Sequence, residues 1–291
     1  MKPAIFMTVC DAEDVIKSFL DYHFGIGFEH VIFFFENDSG IDVARSYGDK
    51  VTVFRHYEEQ WKSCVGYDKH APHVTTELTS RQLLNAEIAI STARNLGVDW
   101  LLHIDIDEAF LSPNAKEHFS SIDERISTVV YCNHEAIAET MEVADWFKEV
   151  TLFKRSPSMP GDIRSPFRSY SNGKPAARVT SGLSMEGVHR FVNSEGGTLS
   201  FNLVRPSVLH YPHCGWNNFK KKYERLGNFP DKIWGQVPMI DFYKLVRDAF
   251  VKGEDAAKDA YRVFCTTDDN TVTQGLEVGA FMRIRDVVEA L

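Results

Sequence analysis

The feature that most constrains this chain is the run Trp100-Leu101-Leu102-His103-Ile104-Asp105-Ile106-Asp107-Glu108-Ala109-Phe110. A stretch of mostly bulky apolar residues reads as a buried strand, and this one ends in acids instead of a neutral turn. Alternate residues at the carboxyl end of a strand point to the same side, so Asp105 and Asp107 are expected to converge. Two converging carboxylates repel each other unless a cation sits between them. Hard oxygen ligands at such an edge suit Mg2+ or Mn2+, with water and a substrate phosphate completing the shell. The carboxyl edge of a parallel sheet is also where open α/β folds bind ligands. The run is therefore read as a metal-diphosphate site. The plainer alternative is that Asp107 or Glu108 only starts a turn or caps a helix.

A chain of 291 residues, 44% of them hydrophobic, can bury a large core. A net charge of −9 with no sustained basic run argues against a nucleic-acid surface. The five cysteines (Cys10, Cys64, Cys132, Cys214, Cys265) have no CxxC spacing, so neither a zinc site nor a disulfide framework is indicated. The apolar N-terminal run is broken at Asp11, too soon for a signal peptide or anchor, and no later stretch reaches membrane-spanning length. The expectation is a soluble, cytoplasmic chain, of bacterial or viral type or a catalytic domain lacking its anchor.

Taken in order, Ala4 to Val9 reads as a first strand, followed by the acidic turn Asp11-Ala12-Glu13-Asp14 and a helix through Val15, Phe19, Leu20 and His23. Val31 to Phe35 is a second strand ending in Glu36-Asn37-Asp38-Ser39-Gly40, and Val51 to Phe54 a third. Residues 55–80 show little periodicity and read as an ordered loop. Arg81 to Leu96 is an amphipathic helix with Gly97 as its stop, and the Asp105 strand follows. This order implies a parallel sheet with right-handed crossovers. No GxGxxG or GxxxxGK[ST] loop is present, which disfavours a dinucleotide or P-loop site.

The N-terminal strand and its acidic turn, the Phe-rich strand ending in Glu36-Asn37-Asp38-Ser39, and His103-Ile104-Asp105-Ile106-Asp107-Glu108 with Phe110 resemble a GT-A glycosyltransferase. Further on, Asn172 to Val179, Gly187-Val188-His189-Arg190, His210-Tyr211 with Phe219, Lys222 and Tyr223, and Gly227, Phe229 and Asp231 are similar to glycosyltransferase family 92 and its family 2 relatives. The resemblance covers roughly residues 3 to 235. It implies a GT-A-type, Rossmann-like mixed sheet flanked by helices over 1–235, with a helical C-terminal addition over 236–291. It also implies a nucleotide-sugar site. Thr8, Val9, Cys10, Glu13, Glu36 and Asp38 would hold the nucleoside, Asp105, Ile106 and Asp107 the metal and diphosphate, and Lys222 would touch the diphosphate or order a loop. For Glu36 and Asp38 the alternative is simple turn formation around Gly40.

The strand Thr128 to His134 ends in polar residues and is followed by Glu135, Glu139, Glu142 and Asp145. An inverting transfer needs one carboxylate to take the proton of the acceptor hydroxyl, and such a carboxylate also stabilises the cation-like sugar. Glu135 is the first candidate because it follows the strand end, and Glu139 the second. A solvated acidic helix face is the alternative, and a retaining reaction needs no such base. Lys154 and Arg155, with Arg164 to Arg168, lie in Pro- and Ser-rich surroundings that read as a loop over the site. His189 and His210 compete as the third metal ligand, and either would favour Mn2+ over Mg2+.

The combined expectation is a glycosyltransferase that moves a sugar from a nucleotide-diphosphate donor to a hydroxyl of a glycan or glycoconjugate acceptor, with Mn2+ or Mg2+ and with inversion, retention being the alternative. A sugar-phosphate nucleotidyltransferase would open with a Gly-rich loop, whereas Cys10-Asp11-Ala12-Glu13 stands there. A noncatalytic carbohydrate-binding scaffold of the same fold has no need of paired carboxylates.

Overall fold

A computed structural model describes residues 1–10, 13–161, 167–233 and 237–291. The acidic turn at Asp11 and Ala12, Arg164, and the boundary expected at residue 235 lie outside those residues. The chain divides into two units interleaved in sequence: Met1–Cys132 with Asn172–Val208, and Asn133–Ser171 with Leu209–Leu291. The chain thus leaves the first unit and later returns to it, a different division from a single break near 235.

In the first unit, β1 (Pro3–Val9), α1 (Glu13–Gly25), β2 (His30–Phe35), β3 (Val51–Phe54), α2 (Leu78–Asn95), β4 (Trp100–His103) and β5 (Ile126–Tyr131) come from its first segment. Its second segment adds β6 (Lys174–Arg178) and β7 (Gly197–Phe201). The strands form one seven-stranded sheet in the order β7-β5-β6-β4-β1-β2-β3. β3, β2, β1 and β4 pair in parallel, β6 runs antiparallel to both β4 and β5, and β7 is parallel to β5. The expected α/β class with a mixed, Rossmann-like sheet flanked by helices is what the chain forms.

The sequence explains the centre of this sheet directly. All six residues of β2 (His-Val-Ile-Phe-Phe-Phe) are buried, the near-continuous apolar run of a strand covered on both faces. The alanines of α2 at 86, 89 and 93 lie in the same cluster as Phe6, Ile32, Phe34 and Leu101. Small helix residues thus meet bulky strand residues, which keeps the interior close-packed. Residues 55–80, expected as a loop, contain short helical turns at Glu58–Trp61, Tyr67–His70 and Ala71–His73. Trp61 and Tyr57 bury their rings in the α2 cluster and so give the segment a packing reason for local order.

The second unit pairs Asn133–Ala136 with Leu152–Lys154, and the latter with Phe281–Arg283, both antiparallel. Helices Trp216–Leu226, Asp241–Lys252 and Glu254–Cys265 share a core of Trp216, Phe219, Tyr223, Phe242, Val246 and Tyr261. Within the helical addition expected over 236–291, the spacing of Phe281, Ile284, Val287 and Val288 predicts an amphipathic helix. The structure instead places Phe281 in a strand and ends the chain with a short helix, Asp286–Ala290. Pairing with Leu152–Lys154 satisfies the backbone there and overrides the weak helical pattern.

Candidate active site

β1 and β4 are neighbours, yet the chain runs from β1 outward through β2 and β3 before returning to β4. The carboxyl ends of β1 and β4 therefore flank the switch point of the sheet, where open α/β folds carry ligand sites. Asp105 lies just beyond the end of β4, and Thr8 and Val9 end β1.

The two aspartates are not presented by strand alternation, as first expected. β4 ends at His103, and Asp105 to Glu108 form a tight turn in which the Glu108 N–H donates to the Asp105 carbonyl (3.1 Å). The Glu108 carboxylate folds back and accepts from the Asp105 N–H (2.7 Å). A turn replaces the pleat because this reciprocal pair outcompetes extension of the strand. Glu108 is fully buried, so its role is to hold the turn, while Asp105 and Asp107 are only half-buried.

Lys174, itself buried, brings its ammonium to 2.5 Å from Asp105 Oδ2 and 3.2 Å from Glu108 Oε2. Its arrival follows from topology. β6 is antiparallel to β4, so its first residue reaches the edge at which the parallel strands end. The preceding Gly173 makes this entry possible: its φ is +79°, and a Cβ there would lie 2.3 Å from the Tyr131 carbonyl oxygen. Burial alone would lower the Lys174 pKa, but Asp105 and Glu108 more than offset it and hold it above the ordinary lysine value. Lys174 is a fixed cation.

Three residues at the start of α2 grip three strand ends. Arg81 pairs with Glu36 beyond β2, Gln82 Nε2 donates to Asp105 Oδ1 (2.9 Å) beyond β4, and Asn85 Nδ2 donates to Thr8 Oγ1 (2.9 Å) in β1. Asn85 is in turn held by the indole N–H of Trp61 (2.8 Å). One helix thus sets the relative positions of Thr8, Glu36 and Asp105.

Two histidines of this unit, His189 and His103, are neutral. The His189 Nδ1–H donates to the Gly173 carbonyl (2.7 Å), and burial followed by Lys174 lowers its pKa to about 4. The proton on Nδ1 leaves Nε2 as the lone-pair nitrogen, the tautomer a metal-ligating histidine needs. The His103 Nδ1–H donates to the Val188 carbonyl (2.9 Å), its ring stacks on Phe6 at 4.6 Å, and burial lowers its pKa to about 3.

The other expected donor-site residues have these surroundings. The Val9 carbonyl accepts the Glu36 N–H (2.9 Å), and Cys10 Sγ accepts from Asn37 Nδ2 (3.3 Å). Glu13 is exposed at the start of α1, and Ile106 is half-buried in the acidic turn. Exposed Asp38 pairs with Arg55 (2.8 Å), which holds its carboxyl below the usual range.

Glu135, Glu139, His210 and Lys222 belong to the second unit. Glu135 is buried and accepts from Lys154 Nζ (2.7 Å) and from the backbone N–H groups of Arg168 and Ser169 (2.8 Å each). Glu139 makes a two-point ion pair with Arg283 (2.7 and 2.8 Å) that lowers its pKa. His210 is buried with its ring 4.7 Å from that of Tyr170, and Lys222 Nζ donates to the Pro212 carbonyl (3.2 Å). Among the described residues, no group of three or more His, Cys, Asp or Glu side chains is gathered so as to hold a metal ion. No helix among them is long and apolar enough to cross a membrane.

Sequence reasoning missed Lys174, Gln82, Asn85 and the inward role of Glu108. A signal existed in α2. Gln82 and Asn85 share the spacing of Ala86, Ala89 and Ala93, and a polar residue on a core-facing stripe needs a buried partner. Lys174 carried no such local signal, because its partners lie about seventy positions away.

Comparison with known proteins supports a class. The chain is 29% identical over 233 residues to glycosyltransferase-like At2g41451 of Arabidopsis thaliana, covering 72% of this chain and 51% of that protein. It is 27% identical over 260 residues to glycosyltransferase-like At3g57200 of the same plant, covering 81% and 49%. It thus spans about half the length of the curated relatives it matches. No family model matches. Among solved structures, glucosyl-3-phosphoglycerate synthase from Mycobacterium tuberculosis with phosphoglyceric acid aligns at a TM-score of 0.34 and 15% identity, over 70% of this chain and 73% of that one. CMP:2-keto-3-deoxy-manno-octonic acid synthetase with CTP aligns at 0.31 and 12%, over 61% and 73%. At these scores the structural likenesses carry no argument. Both sequence relatives carry the description glycosyltransferase-like.

Proposed function

We propose that the first unit binds a nucleotide-diphosphate sugar at the Asp105–Glu108 turn and that the protein is a metal-dependent glycosyltransferase acting on a hydroxyl acceptor. The carrying observation is the charge of that turn. Asp105, Asp107 and Glu108 stand within four residues, Asp105 and Glu108 share the buried ammonium of Lys174, and His103 and His189 are neutral. A divalent cation bound there would supply the positive charge that three carboxylates in one turn favour. Mg2+ and Mn2+ are commonly held by one or two carboxylates together with substrate phosphates, a pattern that needs no dedicated protein cage. Asp105 and Asp107 are the proposed protein donors; His189 is not gathered with them into a three-residue metal group, so water and substrate phosphates would complete the shell. When bound, such an ion neutralises charge growing on the departing nucleoside diphosphate.

In this reading the chain's own residues supply the frame. Gln82 and Lys174 fix the Asp105 carboxylate, Glu108 fixes the turn, and Arg81 and Asn85 hold the ends of β2 and β1 against which a nucleoside would lie. Membership of glycosyltransferase family 92 is part of the proposal and rests on the ordered motifs from Asn172 to Asp231. The base is not assigned to Glu135 or Glu139, because their N–H and guanidinium partners give both an anchoring role.

The test is calorimetric titration of nucleoside diphosphates and nucleotide sugars, with and without Mn2+, on the wild type and Asp107→Ala. Metal-dependent binding of one nucleotide, weakened at least about tenfold in the variant, is the expected result. Tight metal-free binding, or none from the whole panel, would sink the proposal.

A further inference from the structure

The second unit contains a cavity of about 210 Å3 whose charged lining residues are Glu135, Lys154 and Arg168. It is smaller than the roughly 300–1,000 Å3 of a typical drug-sized pocket, so it suits a small molecule and not a nucleotide sugar. Its chemistry is unbalanced in one direction. The Glu135 oxygens already accept from Lys154 Nζ and from the Arg168 and Ser169 backbone N–H groups. The Arg168 guanidinium lies over the rings of Phe264 (5.2 Å) and Phe242 (5.8 Å), which hold its plane. Its buried Nε–H has no acceptor among the described residues. Neither has the buried hydroxyl of Thr267, which lines the same cavity. Two neighbouring Thr side chains differ from it: the Thr266 hydroxyl donates to the Arg262 carbonyl, and Thr271 is tied to Asp268.

Buried donors without acceptors are costly and rare in folded chains. Two of them on one cavity wall call for a ligand that brings acceptor atoms. Glu135 is paired with Lys154, and the Arg168 guanidinium brings a further positive charge, which a monoanion balances and a phosphate dianion would overshoot. Phe264 and Phe281 supply an apolar wall for an organic body. His213, also in the lining, is kept neutral by burial and adds no charge.

We propose that this cavity binds the carboxylate of a small organic acid, with Arg168 as its cationic partner and Thr267 as a hydroxyl donor. The arrangement is independent of the acidic turn in the first unit and stands or falls without it.

The test uses the full chain, titrated with sodium acetate and sodium benzoate, with sodium chloride at matched ionic strength and inorganic phosphate as comparisons. Thermal shift and the Arg168 Nε–H resonance are the readouts. Both carboxylates are expected to raise the melting temperature beyond the chloride effect and to move that resonance. Arg168→Gln should bind them about tenfold more weakly, or worse. A rise no greater than with chloride, or unchanged carboxylate affinity in Arg168→Gln, overturns the site. Tighter binding of inorganic phosphate than of either carboxylate overturns the charge assignment. If Arg168→Gln does not fold, Thr267→Val decides. It removes a buried hydroxyl without altering charge and should weaken binding roughly three- to tenfold while leaving the unliganded protein at least as stable. Unchanged affinity in that variant also overturns the proposal.

Discussion

Lys174 Nζ sits 2.5 Å from Asp105 Oδ2, so the first aspartate of the acidic turn is paired with a buried ammonium contributed by an antiparallel strand. Removing one partner of a buried ion pair leaves the other charge uncompensated. Lys174→Met is therefore expected to destabilise the protein by roughly 3–5 kcal/mol. Adding Glu108→Gln should recover part of that loss, since one of the two stranded charges is gone. Chemical denaturation of the single and double variants measures both effects, and a cost for Lys174→Met of less than about 1 kcal/mol would show that the pair is solvated.

The histidines of the first unit fix the direction of its pH response. His103 and His23 have pKa values lowered to about 3, and His118 and His189 to about 4, with burial the leading cause in each. A depressed histidine binds fewer protons folded than unfolded, so its contribution is fully present above the unfolded value near 6.5 and is lost as pH falls toward the folded value. Stability should accordingly decline between about pH 6.5 and pH 4. A melting temperature that is flat or rising over that window would show that these rings are not buried neutral.

Asn85 joins Thr8 to Trp61 through its amide. Asn85→Ala strands a buried indole N–H and removes the tie to β1, at an expected cost of roughly 1–3 kcal/mol. Urea denaturation gives the number. If the nucleoside lies against β1, the same change should weaken nucleotide binding, whereas Arg262→Ala, on the exposed face of a helix of the other unit, should not.

Gly173→Ala tests the entry to β6. The left-handed backbone and the 2.3 Å approach to the Tyr131 carbonyl leave no room for a methyl group. The variant is expected to lose at least about 1–3 kcal/mol through strain alone. Nucleotide binding should weaken with it, because Lys174 is the next residue. A variant as stable as the wild type would mean that the turn relaxes freely.

The fold was legible because its central strands are unambiguous. Val31 to Phe35 and Trp100 to Leu102 are apolar runs that have little alternative to two-sided burial, and α2 keeps helical spacing throughout. The acidic turn was legible as a place but not as a shape, because Glu108 reads in sequence as a turn start or helix cap and only the folded turn reveals its bond to the Asp105 N–H. Residues 55–80 hid their short helices because the anchors, Tyr57 and Trp61, act through a distant core. The counter-charge of the turn could not be read locally at all, since nothing near Lys174 in sequence identifies Asp105 as its partner.

That separation also bears on how the chain is made. Asp105 precedes Lys174 by 69 positions, and everything between Asn133 and Ser171 belongs to the other unit. At roughly 5–20 residues per second, translation takes about 3–14 s to produce the lysine after the aspartate. During that interval β4 has no neighbour on its β6 side, and the Glu108 and Asp105 carboxylates, the first of them destined for full burial, have no ammonium to pair with. Water must serve both until the second pass of the chain, so a nascent chain stopped before Gly173 carries the acidic residues of the turn without the strand that closes over it.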